Sequence, residues 1–122
     1  MYYLPENEFP NVTLHVVEAI SERGQSQYLH YNGGGAAADK NRDAWARRPG
    51  LPVAGPDENL DEYPFAIARE GGAYADIMAL NKYENWSQGS DLSGFIVNEE
   101  INLDQPFFVM PVPYRWFSYH DG

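Results

Sequence analysis

Between Tyr63 and Ile96 the hydrophobic period of the chain changes once, and that change limits the fold more than any other feature. Tyr63 precedes Pro64, which biases it to extended geometry, and Phe65 and Ile67 then alternate as on a strand. Gly71-Gly72 turns the chain into a second extended run, Tyr74 to Leu80. A polar stretch suited to capping follows, Glu84 to Ser90, and then Leu92, Phe95 and Ile96 fall at i, i+3 and i+4 of a helix. Strand, turn, strand, helix is therefore the expected order. Such a unit has apolar faces that only the rest of the chain can cover.

The flanking segments suit that task. Asn11 or Thr13 can cap a helix running to about Arg23, with Val16, Val17 and Ile20 on one face and Gly24 ending it. Gln27 to Tyr31 reads as a short strand, Asn32 to Gly35 as a turn, and Ala36 to Arg48 as a second helix stopped by Pro49-Gly50. Leu51 to Leu60, with Gly55-Pro56-Asp57, reads as an exposed loop. Phe107 to Val112 is a last strand, and the aromatic tail Tyr114-Arg115-Trp116-Phe117 is expected to pack back on the body. The fold class is α+β in a single domain over residues 1–122, with 1–8 and 117–122 peripheral.

At 122 residues, 43% hydrophobic and 15% aromatic, the chain can bury a core of its own. No run of about 18 apolar residues occurs, so no membrane-spanning segment is expected. The absence of cysteine excludes a disulfide scaffold and a thiolate zinc site. A net charge of −10 argues against a protein that coats nucleic acid nonspecifically. The charge is uneven, however: Lys40, Arg42, Arg47 and Arg48 hold half of the eight basic residues within nine positions.

Two short blocks can carry chemistry. Asp61-Glu62 lies just before the first expected strand, and Glu84-Asn85 just before the last helix. Oxygen ligands of this kind suit one Mg²⁺ or Mn²⁺ together with an activated water, the minimum equipment for hydrolysing a phosphodiester. Asp61 is the candidate base, with Glu62 as a ligand or a hydrogen-bonding support. Adjacent strand residues point to opposite faces, which argues against one shared site for the two. Ordinary roles compete throughout. Asp61-Glu62 could be a solvated loop end, Glu84-Asn85 a helix cap, and His15 a satisfied core histidine. The basic cluster, interleaved with Asp39 and Asp43, could be a solvated helix face. The tryptophans suit packing, with Trp86 also placed to stack on a base.

A wider pattern runs through these blocks: Phe9-Pro10-Asn11 with His15, Asp39-Lys40-Asn41-Arg42, Asp61-Glu62-Tyr63-Pro64-Phe65-Ala66 and Glu70-Gly71-Gly72. Glu84-Asn85 with Gln88-Gly89, Leu92-Ser93-Gly94-Phe95 and the strand Phe107 to Val109 complete it. In this the chain resembles the NucA/NucB-type deoxyribonucleases, small bacterial and fungal nonspecific endonucleases. The resemblance implies a ββα-metal core in which an aspartate, Asp61, stands where such cores generally place a histidine base. It further implies catalytic roles for Asp61, Glu62 and Asn85, and a single Mg²⁺ or Mn²⁺ held by Asn85, Glu84 or Glu62. Lys40, Arg42, Arg47, Arg48, Arg69 and Gln88 would contact DNA, and His15 would support the site. A secreted monomer acting on DNA, with a protein inhibitor as a conceivable partner, completes the expectation. If secreted, the chain would be the mature domain or a piece of a longer precursor. Two alternatives stand beside it: a noncatalytic acidic interaction domain on the same fold, and a phosphodiesterase acting on RNA or another diester.

Overall fold

The computed structural model, which describes residues 1–113, orders the elements as β1 (Tyr2–Pro5), α1 (Pro10–Ser21), β2 (Tyr28–His30), α2 (Gly35–Ala46), β3 (Glu58–Tyr63), β4 (Asp76–Asn81), α3 (Lys82–Asn98) and β5 (Pro106–Val112). The class is α+β. β5 is the middle strand of a three-stranded sheet, parallel to β1 with Tyr2 opposite Val109, and antiparallel to β2 with Leu29 opposite Phe107. Alternation decides which side chains turn inward: Tyr2, Leu4, Leu29, Phe107 and Val109 are buried, whereas Tyr3 and Tyr28 are exposed. β3 and β4 form a separate antiparallel hairpin, and α3 follows it directly.

α1 packs between the two sheets, touching β1, β3, β4 and β5. Val12, Val16 and Ala19 recur at i, i+4 and i+7 and are fully buried, so one stripe of the helix joins both sheets into one core. Pro10 suits the first turn because the amide it lacks would have no partner there. Neither Asn11 nor Thr13 caps the helix with its own side chain, as the sequence had suggested. Thr13 Oγ1 donates to the Leu4 carbonyl at 3.3 Å instead, which ties α1 to β1.

The hairpin differs from the expected one in register. β3 begins at Glu58, inside the segment expected to be loop, and ends at Tyr63, so Asp61 and Glu62 are strand residues. Pro64 has no amide to offer the ladder, and the chain leaves the strand there through a cis Tyr63–Pro64 bond. Phe65 is buried in the core and Ile67 packs against it, both as loop residues, which accounts for their strand-like apolar pattern. Polar side chains hold this loop: Asn41 Nδ2 donates to the carbonyls of Ala66 and Ala68, each at 2.9 Å, and Asn32 Nδ2 to Ala66 at 2.8 Å. A Cβ on Gly71 would lie 2.6 Å from the Phe65 carbonyl oxygen, so only glycine fits there.

Two further differences bear on the site. α3 starts at Lys82, capped by Asn81, whose Oδ1 accepts from the Tyr83 and Glu84 amides at 3.0 Å each. Glu84 and Asn85 therefore sit in the first turn rather than ahead of it. The N-terminal residues are not peripheral either, since Tyr2 and Leu4 are core residues of β1. The aromatic tail from Tyr114 lies outside the described residues.

Candidate active site

A cleft of about 1040 Å³ opens beside β3, between α2 and α3. Consecutive residues Asn59 to Glu62 all line it, so Asp61 and Glu62 border one space although the pleat turns their side chains to opposite faces. Asn85, Gln88 and Trp86 come from α3, and Arg42 from α2. The two blocks singled out in the sequence thus meet here.

Asp61 is 4% exposed and is held from behind. Its Oδ2 lies 2.7 Å from His15 Nδ1, and His15 Nε2 lies 2.8 Å from Asp76 Oδ2. Arg23 Nε then donates to Asp76 Oδ1 at 2.7 Å. The elements dictate this chain of contacts. His15 projects from the buried face of α1, fully enclosed, while Tyr63 pairs with Asp76 and Asp61 with Met78 across the hairpin. Asp61 and Asp76 are thereby diagonal neighbours on one face, a spacing that one imidazole can bridge. Burial is the largest influence on His15 and disfavours its charge, but the two carboxylates together outweigh it and raise the pKa above the ordinary value. Each ring nitrogen thus faces a carboxylate oxygen, an arrangement in which a protonated His15 would donate to both. Burial also raises the Asp61 carboxyl above the usual carboxylate range, despite the lowering by His15; Glu84 and Asp76 add to the rise.

Glu62 has no such partner. Its pKa is pushed up to about 7, first by burial and then by the Asp61 charge, and Arg42, with Nε 3.7 Å from Glu62 Oε1, only partly offsets this. Because the folded value lies above the unfolded 4.5, folding retains a proton on Glu62. That contribution is present below the unfolded value and is lost as pH rises through about 7. In chelator, Glu62→Gln should therefore unfold at higher urea than the unmodified protein at pH 8, by about 2–3 kcal/mol, the gap closing toward pH 4.5. Equal stability at pH 8 would show that the Glu62 carboxylate is not under strain.

The remaining predicted residues divide. Asn85 is half-buried on the cleft wall, and its amide has no hydrogen-bond partner among the described residues. Gln88 also lines the cleft, but its Nε2 donates to Tyr2 Oη at 3.1 Å. The Glu84 carboxylate turns instead to the start of α1, accepting from the Val12 amide at 2.6 Å and from Asn11 Nδ2 at 3.1 Å. It supplies from another element the cap that α1 lacks. Of the basic residues, Arg42 borders the cleft, while Lys40, Arg47, Arg48 and Arg69 are not among its lining residues. Arg48 donates to the carbonyls of Ala73 and Ala75, and Arg69 pairs with Asp104. No local sequence pattern marks Asp76 or Arg23: strand register brings Asp76 behind Asp61, and the turn after α1 brings Arg23 to Asp76.

A hydrated divalent cation asks for few protein ligands, and the wall that remains carries two candidates, Glu62 and Asn85. Among the described residues no three His, Cys, Asp or Glu side chains group into a cation cage. Mg²⁺ needs less, since it keeps several waters and binds through one or two carboxylates. The Glu62 carboxylate and the Asn85 amide are hard oxygen donors on one cleft, with no sulfur and no free imidazole to select a softer metal.

The family model described as deoxyribonuclease NucA/NucB matches residues 17–110, most of the chain. The chain belongs to that family. A NucA/NucB domain is a deoxyribonuclease, hence a hydrolase with DNA as its substrate. The matched span includes the hairpin, α2, α3 and every cleft residue named above, but it begins beyond His15. No curated protein matches the chain. No helix of the NucA/NucB domain, among the described residues, is long and apolar enough to cross a membrane.

Proposed function

We propose that this NucA/NucB domain is a metal-dependent endodeoxyribonuclease that hydrolyses DNA without regard to sequence, using Asp61 as general base. The observation that carries the reading is the line Arg23–Asp76–His15–Asp61, which runs from a surface guanidinium inward through the buried His15 to Asp61 and ends in the cleft beside Glu62 and Asn85. Asp61 Oδ2 is occupied by His15, leaving Oδ1 to take a proton from a water in the cleft. The new bond forms between that water oxygen and phosphorus, and the bond from phosphorus to a deoxyribose oxygen breaks.

His15 fixes the rotamer of Asp61, while Asp76, itself held by Arg23, fixes the tilt of His15. Glu62 and Asn85 would hold the cation, with Glu84 left to α1. When bound, a divalent cation neutralises phosphate charge and stabilises the departing oxygen. It would also relieve Glu62, whose ionisation is unfavourable without it. Arg42 would meet a phosphate flanking the cut, at the α2 side of the cleft. The backbone amides at the start of α3 contribute less than their position suggests, because Asn81 already satisfies two of them.

The experiment compares end-labelled DNA and RNA oligonucleotides of one sequence, in Mg²⁺, in Mn²⁺ and in chelator. DNA should be cut internally with either metal, RNA more slowly, and neither in chelator. RNA cut faster than DNA would move the reading to a ribonuclease, and DNA left whole with both metals would remove it.

A further inference from the structure

The cleft presents a difficulty for a DNA-cutting centre, and the opposite rim answers it. Arg42 is its one cationic lining residue among those described, set against Asp61 and Glu62, so side chains there can neutralise few phosphates. At the α3 rim, however, Trp86 lines the cleft while staying 57% exposed. Tyr83, one helical turn earlier and 61% exposed, meets it edge-on with ring centroids 5.6 Å apart. Lys82 Nζ lies 5.3 Å from the Tyr83 ring centre and 5.8 Å from that of Trp86.

The indole is oriented as well as exposed. With its amide oxygen toward the ring, Asn59 of β3 accepts from Trp86 Nε1 at 2.9 Å and donates to the Glu58 carbonyl at 3.0 Å. Asn59 is itself a cleft residue, two positions before Asp61. A large aromatic that is steered by a hydrogen bond yet left uncovered is a surface prepared for a flat ligand. Its edge-on neighbour leaves a face of the indole to the solvent, and the ammonium close by suits the phosphate attached to whatever stacks there.

We propose that Trp86, braced by Tyr83 and Asn59 and flanked by Lys82, stacks an unpaired nucleobase beside the scissile phosphate. The domain would thereby prefer single-stranded, frayed or unwound DNA over intact duplex. The proposal rests on the nuclease reading for the identity of the strand, and it extends that reading to the kind of DNA held. Stacking is indifferent to base identity, since every base has a π-face, so it gives grip without sequence specificity. It also reconciles a chain of net charge −10 with a polyanionic substrate, because this part of the binding energy owes nothing to counterion release.

The test is binding in chelator, where no strand is cut. Intrinsic tryptophan fluorescence and the anisotropy of a labelled oligo(dT) are followed for the full chain, with a blunt DNA hairpin as the duplex probe. The single strand should quench the fluorescence and bind at least about tenfold tighter than the hairpin. Trp86→Ala should weaken that binding by about 5- to 100-fold, the range expected for one lost base stack, while Trp86→Phe retains most of it. Tyr74→Ala, an exposed aromatic that does not line the cleft, should bind as the unmodified protein does. Equal binding by Trp86→Ala, equal affinity for hairpin and single strand, or no binding to either overturns the proposal. Trp86-dependent binding by a protein that cuts no DNA in any metal would sink the nuclease reading and keep the stacking site. Cutting with Trp86→Ala binding unimpaired would do the reverse.

Discussion

Asp61→Asn should cut DNA about 10²–10⁴-fold more slowly than the unmodified protein, the usual weight of a positioned base. The expected loss is chemical, because the substituted side chain keeps the shape of the original. Its amide oxygen can still accept from His15 Nδ1, so the contact now at 2.7 Å survives and α1 stays docked on the hairpin. What the variant lacks is a second oxygen basic enough to hold a proton from water. Initial rates on a labelled oligonucleotide, with circular dichroism to confirm the fold, measure the effect. A rate within about threefold of the unmodified protein, at most ~0.7 kcal/mol of barrier, would assign the base elsewhere, and Glu62 would be the next candidate.

His15→Ala should cost about 3–5 kcal/mol of stability, the range for breaking a buried ion pair from one side. Two carboxylates, Asp61 and Asp76, lose their shared partner, and Asp61, at 4% exposure, has little solvent to replace it. A domain of this size has a total stability of about 5–15 kcal/mol, so the loss is a large share of it. The deficit should shrink as pH falls, because a protonated Asp61 no longer carries an uncompensated charge. Asp76→Asn is the milder companion: it keeps an acceptor for His15 Nε2 and should fold better than His15→Ala. Urea unfolding at pH 7.5 and pH 5 reads both. A His15→Ala variant within about 1 kcal/mol of the unmodified protein would show that the imidazole is an ordinary core residue rather than the support of Asp61.

Much of this site was legible in the chain because its parts are local. The hairpin followed by α3 announces itself through a turn at Gly71-Gly72 and a change of period, and the aspartate and the asparagine fall within that unit. Even so, the strand was placed too late. Glu58 to Leu60 gain their extended form from pairing with Leu80 and Asn81 and their neighbours, and no preference of their own signals it. Glu84 shows a similar limit. In sequence it is a carboxylate beside an asparagine expected to hold the metal, but α1 arrives from 72 positions earlier and takes it as a cap. Asp76 and Arg23 were invisible because their role depends on His15, and His15 depends on how α1 lies across the hairpin. Asn41 belongs to the same class: read within a basic helix, it holds the loop after Pro64 by two carbonyl contacts.

The central claim is that the cleft beside β3 cuts DNA with Asp61 and a divalent cation, and nicking of supercoiled plasmid tests it most directly. Three lanes suffice: the unmodified protein in Mg²⁺, the same protein in chelator, and Asp61→Asn in Mg²⁺. The first should pass from supercoiled to nicked and then to linear DNA while the other two stay supercoiled. A first lane that stays supercoiled, or a third that nicks as fast as the first, would contradict it.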